Sequence, residues 1–119
     1  YFHYFHFYMQ AKLYAKVNGV LLLIIGIIGF FTSEFLGIRF DPLHNIVHLV
    51  IALLGLYIGF GDFTYEAALN FARIFGIFYI ILGIVGFFLP NFFGLITLDL
   101  VENILHLALG IWGAWIAFS

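Results

Sequence analysis

The sequence predicts an all-α protein, a four-helix transmembrane bundle made of two tandem two-helix repeats. Three observations predict it. The chain of 119 residues is 66% apolar and only 8% charged, whereas a soluble domain carries roughly 25% charged residues to wet its surface. Four Lys/Arg and six Asp/Glu cannot coat a globule of this size, so the outer surface faces lipid. Four apolar stretches approach the roughly 20 residues that a hydrocarbon core requires. Finally, the second half of the chain repeats the first.

The repeat is specific. Lys16 corresponds to Arg73, Gly19 to Gly76, Gly26 to Gly83, Gly29-Phe30-Phe31 to Gly86-Phe87-Phe88, and Gly37 to Gly94. One inserted residue then shifts the register. After it, Asp41 matches Asp99, Asn45-Ile46 matches Asn103-Ile104, His48-Leu49 matches His106-Leu107, and Gly55 matches Gly113. Each repeat holds two spans, so the second copy enters the membrane from the same side as the first. The expected symmetry is a pseudo-two-fold axis along the membrane normal, not an inverted repeat.

In chain order, residues 1–12 form an aromatic N-terminal segment. Tyr1 to Tyr8 contain only Tyr, Phe and His, a composition suited to the headgroup level. Met9-Gln10-Ala11-Lys12 resembles an ordinary basic N-terminus, which makes Met9 an alternative start and the preceding residues non-native. His3 and His6 belong to this segment and are not taken as ligands. The first repeat, 13–60, contains spans Leu13 to Phe31 and Leu43 to Phe60. A polar connector, 61–68, holds Asp62 and Glu66. The second repeat, 69–119, contains spans Leu69 to Leu89 and Leu100 to Phe118. Backbone groups in lipid must be satisfied within the segment, which makes each span a helix.

Local signals punctuate the spans. Asp41 followed by Pro42 suits an N-cap with proline at the first helical position. Asp99 followed by Glu102 has the spacing of a capping box. Pro90-Asn91 ends the third helix. The connectors Ser33 to Phe40 and Asn91 to Leu98 are apolar enough to lie in the interface. Lys12, Lys16 and Arg73 fall at one end of the spans and Arg39 at the other, which predicts cytoplasmic termini in a prokaryotic cytoplasmic-type membrane.

Small residues mark helix contacts. Gly19 and Gly26 are seven residues apart, as are Gly76 and Gly83, and Gly29 and Gly86 follow at matched places. Gly55 and Gly59 have small-xxx-small spacing in the second helix, with Gly110, Gly113 and Ala117 similar in the fourth. Lipid gives helices no hydrophobic reason to associate, so close backbone approach carries much of the packing.

One polar stripe could carry chemistry. Asp41, Asn45 and His48 are spaced i, i+4, i+7, as are Asp99, Asn103 and His106. Each set therefore lies on one face of its helix. His44 stands at the position equivalent to Glu102, which allows a His-carboxylate pair across the axis. Polar and ionisable groups inside a span are expensive and are functional candidates by default. Four readings compete for His44, Asn45, His48, Glu102, Asn103 and His106. The plainest is interhelical hydrogen bonding. The second is axial ligation of haem or a chlorin-type pigment by His48 and His106. The third is a divalent metal held by His44 and His48 with a carboxylate or His106. The fourth is a proton or small-solute path, for which no polar trail is expected across the other half of the bundle.

Other functions find no support in the residues. Ser33 and Ser119 lack a His-Asp arrangement, no phosphate-binding glycine loop opens a helix, and no catalytic constellation is found. Cysteine is absent, which removes thiolate sites and thiol nucleophiles. A net charge of -2 argues against nucleic acid as a partner.

The chain also resembles a family of small four-helix prokaryotic membrane proteins, known as domain of unknown function number four-three-eight-three. The resemblance rests on Gly26-Ile27-Ile28-Gly29-Phe30, Phe35-Leu36-Gly37-Ile38 and Asp41 to Leu49. In the second half it rests on Gly83-Ile84-Val85-Gly86-Phe87, Phe93-Gly94-Leu95 and Asp99 to Leu107. The paired N-x-x-H is its specific part. The resemblance covers about Lys12 to Phe118 and implies a four-span membrane protein without an assigned activity. The resemblance leaves the function open; the glycine faces, aromatic surfaces and scarce extramembrane mass predict a structural one, an accessory subunit or a self-associating bundle without cofactor, whose partners are other transmembrane helices and lipids. A haem-, pigment- or metal-binding protein is the alternative, and a transporter the third.

Overall fold

The computed structural model describes residues 2–119, with side chains from residue 6 onward. Four α-helices dominate: α1 (Phe2–Phe31), α2 (Pro42–Phe60), α3 (Tyr65–Phe88) and α4 (Leu100–Phe118). All four are long and apolar enough to cross a membrane, the first over His6–Phe31. At 1.5 Å per residue the 30-residue α1 is about 45 Å long, and it accounts for the 46 Å long axis of the molecule.

Helices α1 and α3 begin well before the apolar runs suggest, whereas α4 begins at Leu100 as expected. The first was expected from Leu13, yet it includes the aromatic segment from Phe2 onward. The upstream turns are held from outside: the Tyr8 hydroxyl donates to Phe63 O at 3.0 Å, and the rings of Phe7 and Trp115 lie 6.1 Å apart. Tyr1 lies outside the described residues. The polar connector is also shorter than 61–68. Thr64 caps α3, its side chain accepting from Ala67 N–H, so Tyr65 to Ala68 are already helical.

The α1–α2 connector is a small β-hairpin. Strands β1 (Glu34–Phe35) and β2 (Ile38–Arg39) pair antiparallel with Glu34 opposite Arg39. Its two turn residues, Leu36 and Gly37, both have positive φ, 53° and 84°. That sign pattern belongs to the type I′ turn, which matches the twist of a two-residue hairpin. The equivalent α3–α4 connector forms a single 3-10 turn, Phe92–Gly94.

Three glycine contacts of the first helix hairpin recur in the second. A Cβ on Gly19 would meet Leu56 N at 2.6 Å, and one on its repeat mate Gly76 would meet Ala114 N at 2.7 Å. Gly26 packs on Leu49 as Gly83 packs on Leu107, and Gly29 faces the Asn45 amide as Gly86 faces that of Asn103. On the other helices, Gly55 meets Ala15 O, Gly59 meets Lys16, Gly110 meets Ile80 N, and Gly113 meets the Tyr14 ring. The glycines thus sit where backbones come closest, which is how lipid-embedded helices gain dispersion energy.

Between the hairpins, Tyr14, Ala15, Phe71, Ala72 and Ile116 form one apolar cluster, and Leu22, Ile51, Tyr79 and Leu109 another. Outward lie large apolar side chains, among them Ile24, Leu53, Ile81 and Ile104. Three of the four Lys/Arg gather at one end: Lys12 donates to Gly61 O, Lys16 lies over the Phe60 ring, and Arg73 over that of Phe118. Arg39 lies beside the opening of α4, at the other end.

Candidate functional site

The polar end of the bundle is assembled by two helix starts. Asp41 caps α2: its Oδ1 accepts from His44 N–H at 2.9 Å, and Pro42 occupies the first turn. This aims the next helical positions, His44, Asn45 and His48, into the bundle, where each is no more than 5% exposed.

The capping box expected at Asp99 and Glu102 does not form. Asp99 stands at the N-cap of α4, but its side chain makes no cap hydrogen bond. Arg39 takes it instead. The Arg39 backbone N–H donates to Oδ2 at 2.9 Å, its Nε donates to Oδ1 at 3.0 Å, and its Nη2 lies 2.8 Å from Oδ1. Partial burial alone would raise the Asp99 carboxyl; the Arg39 hydrogen bonds and charge outweigh it and hold the group below its ordinary range. The same charge pair pushes the Arg39 guanidinium further up. Thr97 completes this clasp by donating through its hydroxyl to Arg39 O at 3.0 Å and through its N–H to Asp41 Oδ2 at 3.3 Å.

Glu102 turns inward and is 1% exposed. Its Oε1 lies 2.7 Å from His44 Nε2 and 3.3 Å from His48 Nε2. The two imidazoles stand one turn apart on α2, with ring centroids 4.3 Å apart. A carboxylate of one hairpin is therefore shared by two histidines of the other. Glu102 Oε2 and both Nδ1 atoms are buried without hydrogen-bond partners.

The matched residues divide into two kinds. Asn45 donates through Nδ2 to Gly29 O at 2.9 Å, within its own hairpin, and Asn103 lies against Gly86 in the same way. They serve helix packing. His48 and His106 occupy equivalent positions but differ in role: His106 lies parallel to the Tyr79 ring, centroids 5.7 Å apart and planes 5° apart, and takes no part in the Glu102 cluster. His48 Nε2 is engaged by Glu102. The cavity that His44, His48 and His106 share is about 160 Å³, below the roughly 300–1,000 Å³ of ordinary small-molecule and cofactor pockets.

Three buried polar residues escaped the sequence reading. Tyr14 donates its hydroxyl to Leu109 O at 2.8 Å, Asn18 donates through Nδ2 to Tyr14 O at 2.9 Å, and the Tyr79 hydroxyl is buried without a partner. Tyr14 and Asn18 lie in the half of the bundle beyond the cluster, where the sequence predicts no polar trail. The available signal was Asn18 itself, a carboxamide inside an otherwise apolar span.

Fold and site together define a class: a small four-helix integral membrane protein with a buried His-His-Glu cluster at one end. The chain belongs to the family described as a domain of unknown function, DUF4383, which matches residues 12–119. No curated protein and no solved structure matches it.

Proposed function

We propose that the protein is a structural component of the membrane, an accessory subunit of a larger complex or a self-associating bundle, acting through lateral helix contacts. The observation that carries this reading is the direction of its polar groups. Glu102 is shared with His44 and His48, Asp99 with Arg39, and the Tyr14 hydroxyl with Leu109 O. Each of these joins one hairpin to the other. The outer flanks of all four helices present apolar side chains such as Val20, Val50, Ile74 and Ile111. The connectors between helices are short, 61–64 being the shortest, and offer little for a soluble partner to grip. Recognition then takes place within the bilayer, through other helices or lipid. The excess of Lys12, Lys16 and Arg73 at one end supports cytoplasmic termini in a prokaryotic cytoplasmic-type membrane.

Native mass spectrometry of the protein extracted from its own membranes tests this. A small multiple of 13.6 kDa identifies a self-associating bundle, and a larger heteromeric mass identifies an accessory subunit. A lone monomer, reproduced by cross-linking in intact membranes, overturns the proposal.

A further inference from the structure

The geometry points to a divalent transition-metal ion of the zinc class, held by His44 Nε2, His48 Nε2 and the Glu102 carboxylate. One ligand atom from each of the three residues falls within a single 4.8 Å sphere of mutual separation. Two imidazole nitrogens and one carboxylate oxygen suit zinc and its neighbours; calcium and magnesium demand all-oxygen shells.

Both edges to the carboxylate suit the same ion, and the two imidazole nitrogens lie within 4.8 Å of each other. Tetrahedral zinc with bonds of about 2.0–2.1 Å holds its ligand atoms about 3.3 Å apart. The His48–Glu102 edge is already 3.3 Å. The His44–Glu102 edge, 2.7 Å, opens to that value by a small rotation of either side chain. Charge argues alongside geometry. The Glu102 carboxylate is buried inside the bundle, where an ionised group is expensive. A divalent ion beside it would offset that charge.

Two further observations bear on a ligand. Glu102 Oε2 is buried with no hydrogen-bond partner, so the carboxylate has coordinating capacity that nothing in the bundle uses. The cavity of about 160 Å³ beside the histidines is walled by Leu22, Ile51 and Leu82, with His106 also on its lining. Three protein ligands next to such a space leave a fourth coordination position for water or a small exogenous ligand, the arrangement of open zinc sites. Neither His44 Nδ1 nor His48 Nδ1 has a hydrogen-bond partner. The site therefore lacks the outer hydrogen bonds that tighten ligand histidines, and its affinity is weaker than that of closed structural zinc sites.

Equilibrium dialysis of the full chain in detergent against zinc, with magnesium in excess, tests the assignment. The expected result is one zinc per chain, with affinity lowered at least about tenfold in Glu102→Gln and in His48→Gln. The double variant His3→Ala/His6→Ala should bind as the wild type does, which separates the site from the aromatic segment. Helicity by circular dichroism reports whether each variant folds. Should the ligand variants unfold, cobalt(II) in the wild-type chain decides: intense four-coordinate d–d bands uphold the site, and a weak octahedral spectrum overturns it. Zinc binding that survives both ligand substitutions, or no stoichiometric zinc in the folded wild type, also overturns it.

Discussion

Alanine at Gly76 should destabilise the bundle, while alanine at Gly26 should leave it nearly unchanged. At Gly76 the new methyl would stand 2.7 Å from Ala114 N, 2.9 Å from Gly113 C and 3.1 Å from Gly113 Cα. All three atoms are backbone of α4, so no rotamer can yield. Ordinary van der Waals contact begins near 3.4 Å, so α3 and α4 must part by about 0.7 Å at this point. Overpacking of this kind costs about 1–3 kcal/mol. The gain in helix propensity from Gly to Ala returns about 0.5–1 kcal/mol, for a net loss of about 0–2.5 kcal/mol centred near 1. At Gly26 the methyl meets Leu49 Cδ2 at 2.9 Å. That is the far end of a flexible side chain, and a rotamer shift offsets most of the cost. Gly19, whose Cβ would meet Leu56 N at 2.6 Å, should behave like Gly76. Thermal unfolding in one detergent, followed by circular dichroism, ranks the three variants. Equal losses at Gly26 and Gly76 would refute the claim that rigid backbone contact, not mere volume, sets the cost.

Three other perturbations follow from the same coordinates. Leu36 has φ 53°, a left-handed conformation that costs a branched residue about 1–2 kcal/mol; Leu36→Asn should raise the unfolding midpoint, and a fall would show that the turn is not the strained element. Tyr14→Phe removes the buried hydroxyl bond to Leu109 O and should lower stability by about 0.6–1.5 kcal/mol, read by the same unfolding assay, with no change meaning that the bond contributes nothing between the hairpins. Asp99 has a folded pKa depressed by Arg39 despite its partial burial, so its contribution is present above the unfolded value of about 3.9 and is lost as pH falls through the lower folded value. Unfolding midpoints measured from neutral pH downward should therefore fall less steeply in Asp99→Asn than in the wild type; parallel curves would mean that the Arg39 clasp is not what titrates.

The architecture was legible because it rests on properties that composition and spacing carry directly. Scarce charge and four apolar runs require helices in lipid, and the glycines recur at matched places because both hairpins need the same backbone approach. The partners of Asp99 and Glu102 were not legible. A D-x-x-E spacing reads locally as a capping box, and only tertiary structure brings Arg39 to Asp99, 60 residues away. That long-range partner takes the Asp99 carboxylate, and Glu102 faces His44 and His48 of the other hairpin. The upstream extent of α1 was hidden for a similar reason: Phe7 and Tyr8 are fixed by Trp115 and Phe63, partners far along the chain.

The repeat also shows where chemistry can arise in a duplicated bundle. Some residues identical in both copies do the same work in both: Asn45 and Asn103 each face a glycine of the preceding helix. Identical residues related by a two-fold axis meet like with like, and two glutamates or two protonated histidines facing one another would repel. The one polar position of this face that differs, His44 in the first copy and Glu102 in the second, is where unlike groups meet at 2.7 Å. Restoring identity there with Glu102→His would place three imidazoles together with no carboxylate to share, leaving buried ring nitrogens without an acceptor at a cost of about 1–3 kcal/mol each. The departure from repetition, more than the repetition, is what creates the buried cluster.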